Sequence, residues 1–109
     1  MTAITKDHLD LGRFSEPGLF ILISLADGPK HGYAMTEDIE HVAGAKLGPG
    51  TLYGAISRLE ARGLIVPAPS DDRRRVPYQL TEMGLQALRA QLEALSSITK
   101  VGFGRLARA

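Results

Sequence analysis

A chain of 109 residues, 44% of them hydrophobic, is enough for one domain with a modest core. The absence of cysteine excludes disulfide frameworks, thiolate nucleophiles and cysteine-ligated zinc. The net charge of +1 hides an asymmetry: residues 43–80 carry six basic and three acidic side chains, the remainder seven and nine. A basic lobe on an otherwise acidic protein suits a polyanionic partner, and a solvated charged surface gives the same pattern.

Met1 to Phe14 holds no apolar run resembling a signal peptide, and no later stretch approaches a membrane span, so a cytoplasmic protein without membrane contact is expected. Residues 1–14 are polar with scattered Leu9 and Leu11, a short helix or an arm. Ser15-Glu16-Pro17 reads as a helix start: serine can cap, an acid favours the positive helix end, and proline is tolerated in the first turn. Leu19, Leu22, Leu25 and Ala26 recur at helical spacing with Phe20, Ile21 and Ile23 between them, the pattern of a central core helix that Asp27-Gly28-Pro29 ends.

A second helix is expected over about 31–42, with Met35, Ile39 and Val42 inward and Ala43-Gly44 closing it. A third begins near Pro49, turns Leu52, Ile56 and Leu59 inward, and stops at Gly63. Residues 64–68 and 76–80 are strand candidates around a charged loop, and Pro67 and Pro77 confine them to a two-stranded edge ribbon. Thr81 can cap the last helix, in which Leu85, Leu88, Leu92 and Leu95 alternate spacings of three and four as in a heptad seam. From Gly102 the chain is expected to fray.

The order is helix, helix, helix, strand, strand, helix. It predicts a mainly α fold of the α+β kind: a winged helix-turn-helix over 15–80, a C-terminal dimerisation helix over 81–101, and a frayed tail over 102–109.

A helix enters the major groove only where bulky apolar groups do not block its outward face. Opposite Leu52, Ile56 and Leu59, the third helix presents Gly50, Thr51, Gly54, Ser57, Arg58 and Ala61. Thr51 and Tyr53 lie in its first turn, where free amides and the helix dipole favour phosphate. An ordinary amphipathic helix with a glycine-rich start would look alike.

Arg73, Arg74 and Arg75 at a hairpin tip cannot be core, and their guanidinium forks match phosphates or a narrow minor groove. A solubilising turn partly neutralised by Asp71 and Asp72 is the plainer alternative, weakened because the loop follows the third helix at a wing's distance. Tyr33, at the start of the second helix, can donate to a phosphate or sit half-buried.

At these residues the chain resembles the PadR family of bacterial transcriptional regulators. The likeness is carried by Ile21-Leu22, Leu25, Asp27-Gly28-Pro29, His31-Gly32-Tyr33 and Leu47-Gly48-Pro49-Gly50-Thr51-Leu52-Tyr53. It continues through Leu59, Gly63-Leu64-Ile65, Arg74-Arg75, Tyr78, Leu80-Thr81 and Gly84, covering about residues 15–95. It implies a winged-helix dimer that represses transcription and is released by a small molecule, with Tyr33, Thr51, Tyr53 and the wing arginines on DNA. Val76-Pro77 departs from the family's second wing strand, and the short region after Thr81 matches the compact branch with one C-terminal helix.

A two-fold dimer through Leu85, Leu88, Leu92 and Leu95 would set two reading helices about one DNA turn apart on a palindromic operator. Under three heptads make a marginal seam, so Leu9, Leu11, Phe14 or the core helix would help to cover it. The alternative is that these leucines pack on their own domain. No cofactor is expected; a hydrophobic or aromatic effector is implied by the family, with Phe14, Phe20 and Phe103 the aromatic candidates.

Enzyme chemistry lacks its residues. His8, His31 and His41 are scattered and form no metal pair, and Gly48-Pro49-Gly50 lacks the Lys-Ser/Thr of a phosphate loop. The remaining rival is a winged helix used as a protein-interaction module.

Overall fold

The computed structural model describes residues 16–109. In chain order it contains α1 (Pro17–Leu25), α2 (Gly32–Ala43), α3 (Pro49–Ala61), β1 (Ile65–Pro67), β2 (Tyr78–Leu80) and α4 (Glu82–Ala107). Helix starts follow local chemistry. Pro17 and Pro49 occupy the first helical turns, where a missing N–H costs nothing. His31 accepts the Ala34 N–H at the head of α2, and Thr81 Oγ1 accepts the Gly84 N–H, 2.9 Å away, at the head of α4. Gly44 ends α2 in the left-handed conformation, φ 66°, and Gly63 turns the chain out of α3 at φ 76°. Glu16, rather than Ser15, is the N-cap of α1 and makes no side-chain cap; Ser15 and the arm over 1–14 lie outside the described residues.

The core forms around α1, which touches α2, α3, α4 and β2. Ile21, Met35 and Ile65 are fully enclosed there, with Leu25, Ile39, Leu52, Ile56 and Leu88 around them. Val42, expected on the buried stripe of α2, is 62% exposed. It lies in the last turn before Gly44, where α2 has passed the edge of the core.

β1 and β2 pair antiparallel with Ile65 opposite Leu80, Val66 opposite Gln79 and Pro67 opposite Tyr78. Both strands are shorter than expected: Leu64 and Ala68 fall outside β1, and Val76 and Pro77 outside β2, although the Ala68 N–H still donates to the Pro77 carbonyl at 2.8 Å. A third segment joins this ribbon. Lys30 exchanges two backbone hydrogen bonds with Tyr78, of 3.1 and 2.9 Å, just before α2 begins. The Lys30 ammonium turns inward to donate to the Ser24 carbonyl near the end of α1, with Asp27 3.8 Å away. The wing is thereby tied to the helix-turn-helix by backbone as well as by packing.

The last helix departs from expectation at its far end. α4 runs for 26 residues to Ala107 and carries Gly102 and Gly104 in its interior, so the frayed tail predicted over 102–109 is helical almost throughout. Two glycines each cost a helix about 1 kcal/mol, which a continuous helix of this length can absorb. At its near end α4 is set hard against the wing. A Cβ on Gly84 would run into the Leu64 carbonyl oxygen, which accepts the Thr81 N–H at 3.1 Å.

Candidate nucleic-acid interface

At roughly 100° per residue, Gly50, Gly54, Ser57 and Ala61 fall along one line of α3, directly opposite the buried Leu52, Ile56 and Leu59. The outward line is therefore made only of small groups. Thr51 and Arg58 flank it on one side, Tyr53 and Glu60 on the other. Arg58 does not splay away: its Nη1 would be 3.5 Å from a Cβ built on Gly54, so the guanidinium lies back over that glycine towards the head of the helix.

Tyr53 is held from the other side. A Cβ on Gly32 would fall 2.5 Å from the Tyr53 hydroxyl, so the first turn of α2 comes this close to the ring only because residue 32 is glycine. Tyr53 as a whole remains 53% exposed, and Tyr33 is 67% exposed, a surface ring rather than a half-buried one.

Between the head of α2, the Tyr53 ring and the wing lies an open cleft of about 450 Å³ lined by His31, Gly32, Tyr33, Tyr53, Arg74, Arg75, Val76 and Tyr78. Three phenols and two guanidinium groups border it, a donor-rich lining suited to phosphate oxygens. Burial raises the pKa of Tyr78 above its usual 10.0, helped by the neighbouring Glu60 carboxylate and by Tyr53, so its hydroxyl keeps its proton and remains a donor at neutral pH.

The wing loop is organised so that its acids do not quench its arginines. Asp72 Oδ1 accepts the Arg74 backbone N–H at 2.9 Å, and Ser70 Oγ accepts the Asp72 N–H at 3.1 Å, an Asx-type turn that shapes the tip. Among the described residues the ion pairs are Lys30–Asp27 and Lys46–Glu40, so Arg73, Arg74 and Arg75 are free of carboxylate partners.

The expected site residues thus divide into neighbouring groups. Tyr33, Tyr53, Arg74 and Arg75 share the cleft; Gly50, Gly54, Ser57 and Arg58 form the open face of α3; Thr51 is exposed in its first turn and Arg73 on the loop. Gly32 as the seat of Tyr53, Tyr78 as a lining phenol and the Lys30 bridge that carries the wing are not marked by any local sequence pattern. The His31-Gly32-Tyr33 and Tyr78 signals were visible, but only the fold brings them together. Among the described residues no group of three or more His, Asp or Glu is placed to hold a metal ion.

A second surface runs along α4. Of the four seam leucines, Leu88 is 6% exposed and belongs to the core of its own domain, and Leu95 is half-buried against the same core. Leu85 and Leu92 stay on the surface and line an open groove of about 370 Å³ with Arg89, Glu93 and Ser96. Phe103 lies 18 residues beyond Leu85, about five helical turns, and so continues the same ridge, with Leu106 beside it. Phe20 is core; Phe14, Leu9 and Leu11 lie outside the described residues.

Three helices, a short ribbon and an open-faced third helix beside a cationic loop define a winged helix-turn-helix. The model of the transcriptional regulator PadR-like family matches residues 21–90. The chain is 36% identical over 88 residues to a transcriptional regulator of Mycobacterium tuberculosis, spanning 79% of this chain and 81% of that protein. It is 41% identical over 87 residues to an uncharacterized 37.1 kDa protein in transposon TN4556 of Streptomyces fradiae, covering 80% of this chain but only 25% of that longer relative. A crystal structure of a PadR family transcription regulator from Clostridium difficile shares the fold, with a TM-score of 0.70 at 24% identity over 80% of this chain and 94% of that one. The chain belongs to the PadR-like family of transcriptional regulators. Among the described residues no helix is long and apolar enough to cross a membrane.

Proposed function

We propose that this chain regulates transcription by binding double-stranded DNA sequence-specifically as a homodimer, and that it represses until a small apolar or aromatic molecule releases it. The observation that carries the reading is the joining of two unlike surfaces on one side of the domain. The helix α3 has only small groups along its outward line, and beside it lies a cleft edged by Tyr33, Tyr53, Tyr78, Arg74 and Arg75. The first suits entry into a major groove, the second the phosphates along its rim.

Dimerisation through α4 is supported by the exposed ridge of Leu85, Leu92 and Phe103, with Leu106 beside it, since large apolar groups at this spacing want a facing helix. Two-fold symmetry then implies a palindromic operator. Repression and release rest on the family resemblance, and the groove beside Leu85 and Leu92 is the candidate seat of an effector.

The test is a titration of duplex DNA from the chain's own promoter region across a range of salt concentrations. Phosphate-mediated binding predicts that log affinity falls linearly and steeply with log salt. Binding that ignores salt, or no binding to duplex, would overturn the DNA reading and favour use as a protein-interaction module.

A further inference from the structure

We infer that Arg58 is the specificity-determining residue of α3 and that it reads one guanine in each half-site, an inference that rests on the DNA-binding reading above. Gly50 and Gly54 leave the outward line at the head of α3 without side chains where a recognition helix meets base edges first, Thr51 flanks it with one short hydroxyl, and Ser57 and Ala61 continue the line with another and a methyl. Tyr53 is drawn to the opposite flank by its contact with Gly32 and borders the wing cleft, so it faces the DNA backbone. Glu60, on that same flank, can only accept. Arg58 alone on this face carries two parallel donors on a long stem.

Its placement agrees with that role. The guanidinium Nη1 lies 3.5 Å from where a Gly54 Cβ would stand, folded over the small line of the helix and towards its first turns. It has no ion pair among the described residues, so both edges of the fork are available. Guanine offers N7 and O6 as adjacent acceptors in the major groove, which a guanidinium fork meets with two hydrogen bonds, whereas adenine pairs its N7 with a donor. Arg58 also borders the cleft between α1 and α3 that Glu16 and Arg62 line, and a phosphate held there is the competing use of this side chain.

Selection from a randomised duplex library, followed by salt titration of the selected site, separates the two uses. The wild-type chain is expected to select a guanine at one position of each half-site, with replacement of that base costing roughly 5- to 150-fold in affinity. R58A and R58K should both lose that preference. R58K keeps its charge but not the fork, so its salt slope should stay at the wild-type value. R74A should weaken all sequences alike and keep the guanine. If R58A instead weakens every duplex equally, lowers the salt slope by about one unit and retains the guanine, Arg58 is a phosphate contact and the inference fails. If the wild-type chain selects nothing, the DNA reading itself fails, which is a different result.

Discussion

α3 and α4 each bury one face in the same core, yet the surfaces they leave exposed differ in chemistry. α3 shows glycine, serine, alanine and an arginine with no ion pair among the described residues; α4 shows, beside its buried stripe, Leu85, Leu92 and Phe103. An exposed line of small groups has little apolar surface to hide and gains from a partner only if that partner fits closely and supplies hydrogen-bond acceptors. An exposed apolar ridge gains by burial alone, at roughly 25 cal/mol per Å². On the function proposed above, the two helices serve partners of different chemistry, nucleic acid for one and a second copy of the chain for the other, and a single core holds both.

The comparison can be broken most forcefully at the joint between the wing and α4. Gly84→Val would drive side-chain carbons into the Leu64 carbonyl, a backbone group already fixed by Thr81. Urea denaturation should show a loss of about 3 kcal/mol or more, the upper end of overpacking. Next in size is the buried face of α3. Ile56→Ala should cost about 2–5 kcal/mol, while Ser57→Ala one residue along should change stability by no more than about 0.5 kcal/mol yet alter DNA binding. That contrast would sharpen the separation of stability from recognition on one helix.

On α4, L92E combined with F103E should weaken association by about thirty-fold or more while the domain stays folded, as read by sedimentation and circular dichroism. A double variant that remains dimeric would remove the ridge from the interface. Smaller still is the wing: Arg75→Ala should reduce the salt slope of DNA binding by about one unit and leave thermal stability unmoved. The smallest effect is at alkaline pH. The pKa of Tyr78 is raised in the folded state, so its contribution is complete below the unfolded value of 10.0 and is lost as pH rises through the folded value. Denaturation midpoints should fall over that window, and Tyr78→Phe should flatten the fall.

Much of this architecture was legible in the sequence because it is written in local chemistry. Pro17, Pro49 and Thr81 begin helices, Gly44 and Gly63 end them, and the spacing of Leu52, Ile56 and Leu59 marks the inward face of α3. What escaped needed distance information. The Lys30–Tyr78 bridge joins residues 48 apart through one residue pair, too short for any periodicity to announce. The seating of Tyr53 on Gly32 depends on how α2 and α3 cross. Leu88 looks identical to Leu85 and Leu92 in a heptad, and only the position of α1 makes it core. The helical tail was missed because Gly102 and Gly104 lower local propensity, whereas α4 propagates through them from a well-anchored start. The candidate site was legible as a set of residues but not as two surfaces, the arginine cleft and the Arg58 line.

The long ridge on α4 makes the protein sensitive to a kind of change that substitution does not probe. Phe103 shares a face with Leu85 because the residues between them complete whole turns. Deleting one residue anywhere between Leu92 and Phe103 would rotate the distal third of the helix by roughly 100° and swing Phe103 and Leu106 off the ridge, with every side chain chemically intact. Deleting or inserting seven would turn it by only about 20°, preserving the face while changing its length. The ridge is thus a matter of phase: indels in this segment should be tolerated by near-multiples of the helical repeat, and an otherwise harmless one-residue deletion should weaken the proposed pairing through α4.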